Sequence, residues 1–329
     1  EISACLVGSE MCIRDRYRRN TKDMLVAGAT LPATLGASVP KSNSADMKTI
    51  GWELSLGWND RLENGFSYWV KGVLSDYQAT ITKYAGNDAG FYSQSDGDGK
   101  YYVGQKIGEI WGYHSNGLFQ SDDEAATIDQ SELYAGKWGA GDVKYEDLDG
   151  DGKITKGEET IYNPGDKSII GNKTPRYQFG ITVGFDYKNF DFEMFWQGTG
   201  KRDYMLSGAQ FWGFTSQWDV PYTPALDYWT ETNTDAYFPR PGWQNGGNRV
   251  TSDRYLQSAA YGRLKNLTVG YTIPKNLTTK WGISRLRLYV TGENLLTITP
   301  LNDAFDPETL GGLTYPINRK VAIGLNLTL

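Results

Sequence analysis

A period-two alternation, returning in segment after segment, constrains this chain more than any other feature of its sequence. Ile50, Trp52, Leu54, Leu56 and Trp58 alternate with Thr49, Gly51, Glu53, Ser55 and Gly57. Successive side chains of an extended strand point to opposite faces, so one face here is apolar and the other small or polar. After a turn over 59–65, Phe66, Tyr68 and Val70 alternate with Ser67 and Lys71, with Trp69 as an exception. The phase then slips near Leu74, which predicts a bulge or a strand that runs past a membrane. Tyr177 to Tyr187 and Phe190 to Trp196 repeat the pattern across a tight Lys188-Asn189 turn, with Phe195 out of phase. Leu267 to Ile273, Leu286 to Val290 and Val321 to Leu329 complete it.

The pattern predicts about eight strands, near 17–27, 49–58, 66–83, 176–187, 190–205, 259–273, 284–296 and 316–329. Links 59–65, 188–189 and 274–283 are short, whereas 28–48, 84–175, 206–258 and 297–315 are longer. Long and short connections alternate in outer-membrane barrels, which have short periplasmic turns and long extracellular loops. On that parity the last strand descends and Leu329 lies on the periplasmic side. A soluble sandwich would also alternate, because its inner face is apolar. It would not predict the loop rhythm, nor the aromatics Trp58, Phe66, Tyr187, Phe190, Trp196 and Tyr271 placed like girdle residues. The fold class expected is therefore all-β, an antiparallel transmembrane barrel portion with long extracellular loops.

Composition removes other classes. No window holds 18 consecutive apolar residues, which excludes a helical span and leaves a strand-built one open. With 33 Lys+Arg against 39 Asp+Glu the net charge is −6, which argues against a nucleic-acid binder. The single histidine, His114, rules out zinc motifs that need paired His or Cys ligands. It lies in Gly112-Tyr113-His114-Ser115-Asn116-Gly117, which lacks a nucleophile elbow and reads as a loop. Gly198-Thr199-Gly200-Lys201 lacks the upstream glycine of a phosphate loop, and Arg202 replaces its Ser or Thr. No enzyme is expected.

Both cysteines, Cys5 and Cys12, fall within residues 1–16, which carry no signal-peptide pattern. That segment resembles translated sequencing-adapter sequence, so residues 1–16 are expected to be non-native and 17–329 to form the C-terminal part of a longer barrel.

Ile107 to Tyr113 with Asn116 to Gln120, Gly141 to Ile154, Ile170 to Gly180, Arg263 to Pro274, and Thr291 to Leu296 form a series of longer signatures. Together these stretches resemble the SusC/RagA-type TonB-dependent outer-membrane transporters. The resemblance implies a barrel of about 22 strands plugged by an N-terminal domain. It also implies a place in the outer membrane of a Gram-negative bacterium. The activity implied is TonB-driven import of oligosaccharides or other large nutrients, with a SusD-like surface lipoprotein as lid. Plug and TonB-contacting segments do not occur in this chain, and it ends on Leu329 where such barrels carry a terminal aromatic.

Two local features carry chemistry. Asp147-Leu-Asp149-Gly-Asp151-Gly-Lys153-Ile-Thr-Lys-Gly-Glu158 fits a calcium loop. Its ligands would be Asp147, Asp149, Asp151, the Lys153 carbonyl and a bidentate Glu158. The flanks are not helical, and an acidic turn that binds nothing is the plain alternative. Asp96-Gly97-Asp98-Gly99 is a weaker echo. The loop 206–258 crowds aromatics, among them Trp212, Trp218, Tyr222, Trp229 and Trp243, suited to stack on sugar rings or to anchor a partner. Packing among themselves would explain them as well. An importer is the leading expectation; a secreted all-β glycan-binding module without transport activity is the alternative.

Overall fold

A computed structural model describes residues 2–7, 10–27, 34, 36, 40–92, 101–134, 137–213, 215–242, 245–310 and 315–329. The chain opens with β1 (Ile2–Val7), β2 (Glu10–Ala27), β3 (Lys41–Arg61) and β4 (Ser67–Tyr84). Short strands β5 (Glu109–Tyr113), β6 (Ser115–Leu118), β7 (Val143–Tyr145) and β8 (Lys167–Asn172) follow in the first long connection. Then come β9 (Arg176–Tyr187), β10 (Phe190–Lys201), β11 (Asp203–Met205), β12 (Leu256–Ser258), β13 (Tyr261–Thr272), β14 (Arg285–Ile298) and β15 (Lys320–Thr328). Nine strands make one antiparallel sheet in the order β1-β2-β3-β4-β9-β10-β13-β14-β15. The α-helices among the described residues are four residues long.

Sequential antiparallel pairing puts every long connection at one edge of this sheet and every short turn at the other. The alternation then lines up from strand to strand. Leu54 faces Leu74, which faces Phe179; Val70 faces Val183, which faces Met194 and then Leu267. Val269 faces Val290, and Val290 faces Ile323. Among the described residues nothing covers this apolar face: Val269 is 45% exposed, Val290 47% and Ile323 83%. A sandwich would cover such a face with a second sheet. At the short-turn edge, Phe66 stacks on Phe185, Phe185 on Phe192, and Phe190 leans on Tyr271, while the Trp58 indole N–H donates to the Tyr68 hydroxyl. Trp196 does not join this belt. It lies six residues along β10 from Phe190, opposite Ile181, about 20 Å away at strand rise. The fold is that of a partial β-barrel.

The other face is polar, and its out-of-phase aromatics have a reason. Trp69 pairs with Gly184, and its indole occupies the space a Cβ would take there. Phe195 likewise lies over Gly180. Asp191 and Arg287 form a two-pronged ion pair across β13, passing over Gly270, where any side chain would collide with both.

The ladder corrects several expected boundaries. The bulge predicted near Leu74 is not there; the β3–β4 shift falls between Asp46 and Met47. What changes past Leu74 is the neighbour. The β4–β9 pairing ends at Ser75–Gln178, and β4 runs on until Ala79, Ile81 and Tyr84 are buried. The strand expected over 190–205 stops at Lys201, and Asp203–Met205 pairs instead with β12. The strand expected from 17 begins at Glu10, and its phase is inverted. Arg14, Arg16 and Arg18 face Leu54, Trp52 and Ile50 on the apolar side, while Met11 and Ile13 face Gly57 and Ser55 on the polar side. A one-residue slip of this kind transfers the whole apolar set to the wrong face. In a bilayer each such arginine would cost about 2–4 kcal/mol near the midplane.

Candidate functional site

The sheet contributes almost nothing to the main core. Phe119, Val143, Tyr145, Ile154, Phe211, Trp229, Phe238, Tyr255, Leu301 and Phe305 are buried together, and all come from the long connections. The connections after β4, β10 and β14 therefore pack together into one cap over the long-loop edge. Phe211 is its centre, meeting Trp212, Phe238, Tyr255 and Phe305 edge-on at 5.0–6.3 Å. Edge-to-face rings add to what their burial alone contributes.

A polar node ties the two longest loops together. Asp142 is 1% exposed and accepts from the Asn248 side chain at 2.8 Å, the Asn245 side chain at 3.1 Å, the Gly139 amide at 2.9 Å and Arg240 at 3.2 Å. Burial pushes its carboxyl above the usual range against the pull of these donors. The Asn248 side-chain oxygen Oδ1 in turn accepts from the Tyr134 hydroxyl at 2.7 Å and the Val143 amide at 2.8 Å. The Tyr145 hydroxyl donates to the Gly247 carbonyl at 2.6 Å.

The acidic loop is gathered on its first half. Asp147, Asp149 and Asp151 bring carboxylate oxygens within 4.8 Å of one another, the one such group among the described residues. Asp147 accepts from the Gly150 and Gly152 amides at 2.6 and 2.8 Å, and the Gly152 amide is the larger influence holding its carboxyl below the usual carboxylate range. The Lys153 amide donates to Asp151 at 2.8 Å. Glu158, expected as the twelfth-position ligand, stands outside the group. The chain turns at Gly157, with φ +56°, and the Glu158 amide donates to the Asn163 carbonyl. Asp166, which the sequence reading missed, clamps the loop instead, accepting from the Leu148 and Thr155 amides at 2.8 and 2.7 Å. It is fully buried, and burial raises its carboxyl, with the Asp149 and Asp147 charges adding. Asp96 to Gly99 lies outside the described residues.

The aromatic loop divides into two sets. Trp229 is 7% exposed and belongs to the core, and Trp212 packs against that core. Trp218 is 83% exposed and Tyr222 50%, with Val220 and Leu226 exposed beside them. Trp243 lies outside the described residues. Below the cap, a recess of about 550 Å³ opens on the polar sheet face between Ser75, Gln178, Phe195, Gln197, Arg202 and Tyr261.

No family model matches the chain. The TonB-dependent receptor P3 of Formosa agariphila is 29% identical over 343 residues, covering 95% of this chain and 32% of that protein. The TonB-dependent receptor SusC of Bacteroides thetaiotaomicron is 24% identical over 324 residues, covering 95% of the chain and 29% of that protein. Among solved structures, the RagAB peptide transporter aligns with a TM-score of 0.71 at 20% identity, over 97% of this chain and 33% of that one. These relatives are receptors and transporters, not enzymes. The chain spans about a third of the length of the curated relatives it resembles. Its sequence over nearly its whole length, and its sheet with capping loops, make it a relative of the SusC/RagA-type TonB-dependent receptors.

Proposed function

We propose that the chain forms the capped barrel wall of a TonB-dependent importer in the outer membrane of a Gram-negative bacterium. The importer would take up an oligosaccharide or another large nutrient together with a SusD-like surface lipoprotein. The observation that carries this reading is the division of the molecule. A sheet nine strands wide leaves one apolar, aromatic-bordered face uncovered, while the packed core resides in the loops above it. Lipid satisfies that face, and the polar face with its recess then lines the path inward. The secreted glycan-binding alternative would require water against the same apolar face. We assign contact with TonB, on this reading, to a portion of the longer protein outside the third that this chain spans.

The placement of Arg14 and Arg16 opposite Leu54 and Trp52 supports the further reading that residues 1–16 are not native to the strand that borders β3. Sequencing the locus upstream of residue 17 tests both readings. A plug-encoding frame should precede it, with apolar residues at the positions facing Leu54 and Trp52. Disrupting that full-length gene should abolish TonB-dependent growth on one complex nutrient. Unchanged growth on every nutrient that requires TonB would defeat the import reading.

Calcium is proposed for the Asp147–Asp151 turn. Calorimetry should give a dissociation constant on the order of 10⁻⁴–10⁻³ M. Asp149→Ala should abolish the signal, whereas Glu158→Ala, at a residue outside the carboxylate group, should leave it intact. No heat at millimolar calcium would make this an acidic turn stabilised by its own amides.

A further inference from the structure

The chain's one histidine sits in a constellation that its sequence surroundings do not announce. His114 follows β5, Ser168 lies in β8, and Asp253 belongs to the loop ahead of β12. His114 Nδ1 is 2.7 Å from Asp253 Oδ2, and His114 Nε2 is 2.7 Å from Ser168 Oγ. The backbone fixes all three parts. Gly112 pairs with Ser168 in the β5–β8 ladder. The Tyr113 amide donates to the Thr251 carbonyl at 2.9 Å, and the Asp253 amide to the Tyr113 carbonyl at 3.1 Å. The second oxygen of Asp253 accepts the Ser115 amide at 3.0 Å, so its carboxylate cannot turn away from the ring.

The tautomer follows from donor arithmetic. An ionised carboxylate only accepts, so Nδ1 of the neutral ring must carry the proton toward Asp253. Nε2 is left with a lone pair, and the Ser168 hydroxyl is the donor that meets it. A hydroxyl within reach of a base, itself oriented by a third group, defines an activated nucleophile, recognised by geometry and not by chain order. The His114 and Asp253 side chains are 36% and 39% exposed, so a reagent in solution can reach the group.

We propose that Ser168 is a base-activated hydroxyl and a site of covalent acylation by carboxylic esters. In the step, Ser168 Oγ bonds to the carbonyl carbon and its proton passes to His114 Nε2. The ester C–O bond then breaks, and the leaving alkoxide takes that proton and departs as the alcohol. No redox change occurs. The proposal concerns capture of the acyl group and is independent of the transport reading.

A phosphonyl fluoride probe tests it on the full chain in detergent, forming the Oγ–P bond with loss of fluoride. Labelling should map by mass spectrometry to Ser168 and vanish in Ser168→Ala. His114→Gln should slow it by about 100-fold or more, the low end of a general base's contribution. Asp253→Asn keeps the size and the Ser115 contact while reversing the ring's preferred tautomer, so a similar slowing with an unchanged melting temperature separates a misoriented base from a lost fold. A folded wild-type chain that stays unlabelled, or labelling of Ser168 at an unchanged rate in His114→Gln, would overturn the proposal.

Discussion

Asp142→Ala should open the cap and leave the sheet standing. The carboxylate is the shared acceptor of donors from both long loops, and two of those, the Asn248 side chain and the Gly139 amide, are buried. Each buried donor left without an acceptor costs about 1–3 kcal/mol. Arg240 is 46% exposed and regains water, so its share is discounted. A loss of about 3 kcal/mol is expected, felt by the cap alone because its core shares few side chains with the strands. Hydrogen exchange should show faster exchange over 206–258 and around Val143, with β9, β10 and β13 unchanged. Asp142→Asn keeps the volume but turns an NH₂ toward other donors, so it should fall between the two. Cap protection unaltered in Asp142→Ala would mean that the aromatic core holds the two loops together without the node.

The strands were legible because their determinant is local. Ile50 to Trp58 alternates within nine residues, and the loop rhythm then orders the whole sheet. What escaped depends on residues distant in the chain. Trp218 and Trp229 look alike in the sequence, yet one is 83% exposed and the other 7%, because only the fold decides which ring meets Phe211 and Phe238. Asp166 follows the calcium-like loop, and no spacing rule of that motif asks for an outside acceptor of the Leu148 and Thr155 amides. His114 reads as a loop residue because Ser168 and Asp253 are 54 and 139 positions away. The inverted phase of Arg14, Arg16 and Arg18 is visible only once β3 supplies the register.

The separation of the aromatic loop into core and surface also sharpens the test of its role. Deleting 206–243 from the proposed full-length importer would remove Phe211, Trp229 and Phe238 along with Trp218 and Tyr222. Loss of uptake would then report a collapsed cap as readily as a lost partner. Trp218→Ala combined with Tyr222→Ala removes exposed rings only, and such aromatics are typical anchors of an interface, worth 2 kcal/mol or more where they are buried by a partner. Lipoprotein co-purification should fall about 30-fold or more, with the cap's hydrogen exchange unchanged. Trp229→Ala should do the reverse at first, loosening the cap by about 3–5 kcal/mol through the cavity it leaves. Any loss of partner in that variant would follow from the loosened cap. If the Trp218/Tyr222 pair is removed and lipoprotein capture and uptake both stay normal, the exposed rings are not the docking surface, and the lid contact must be sought elsewhere on the cap.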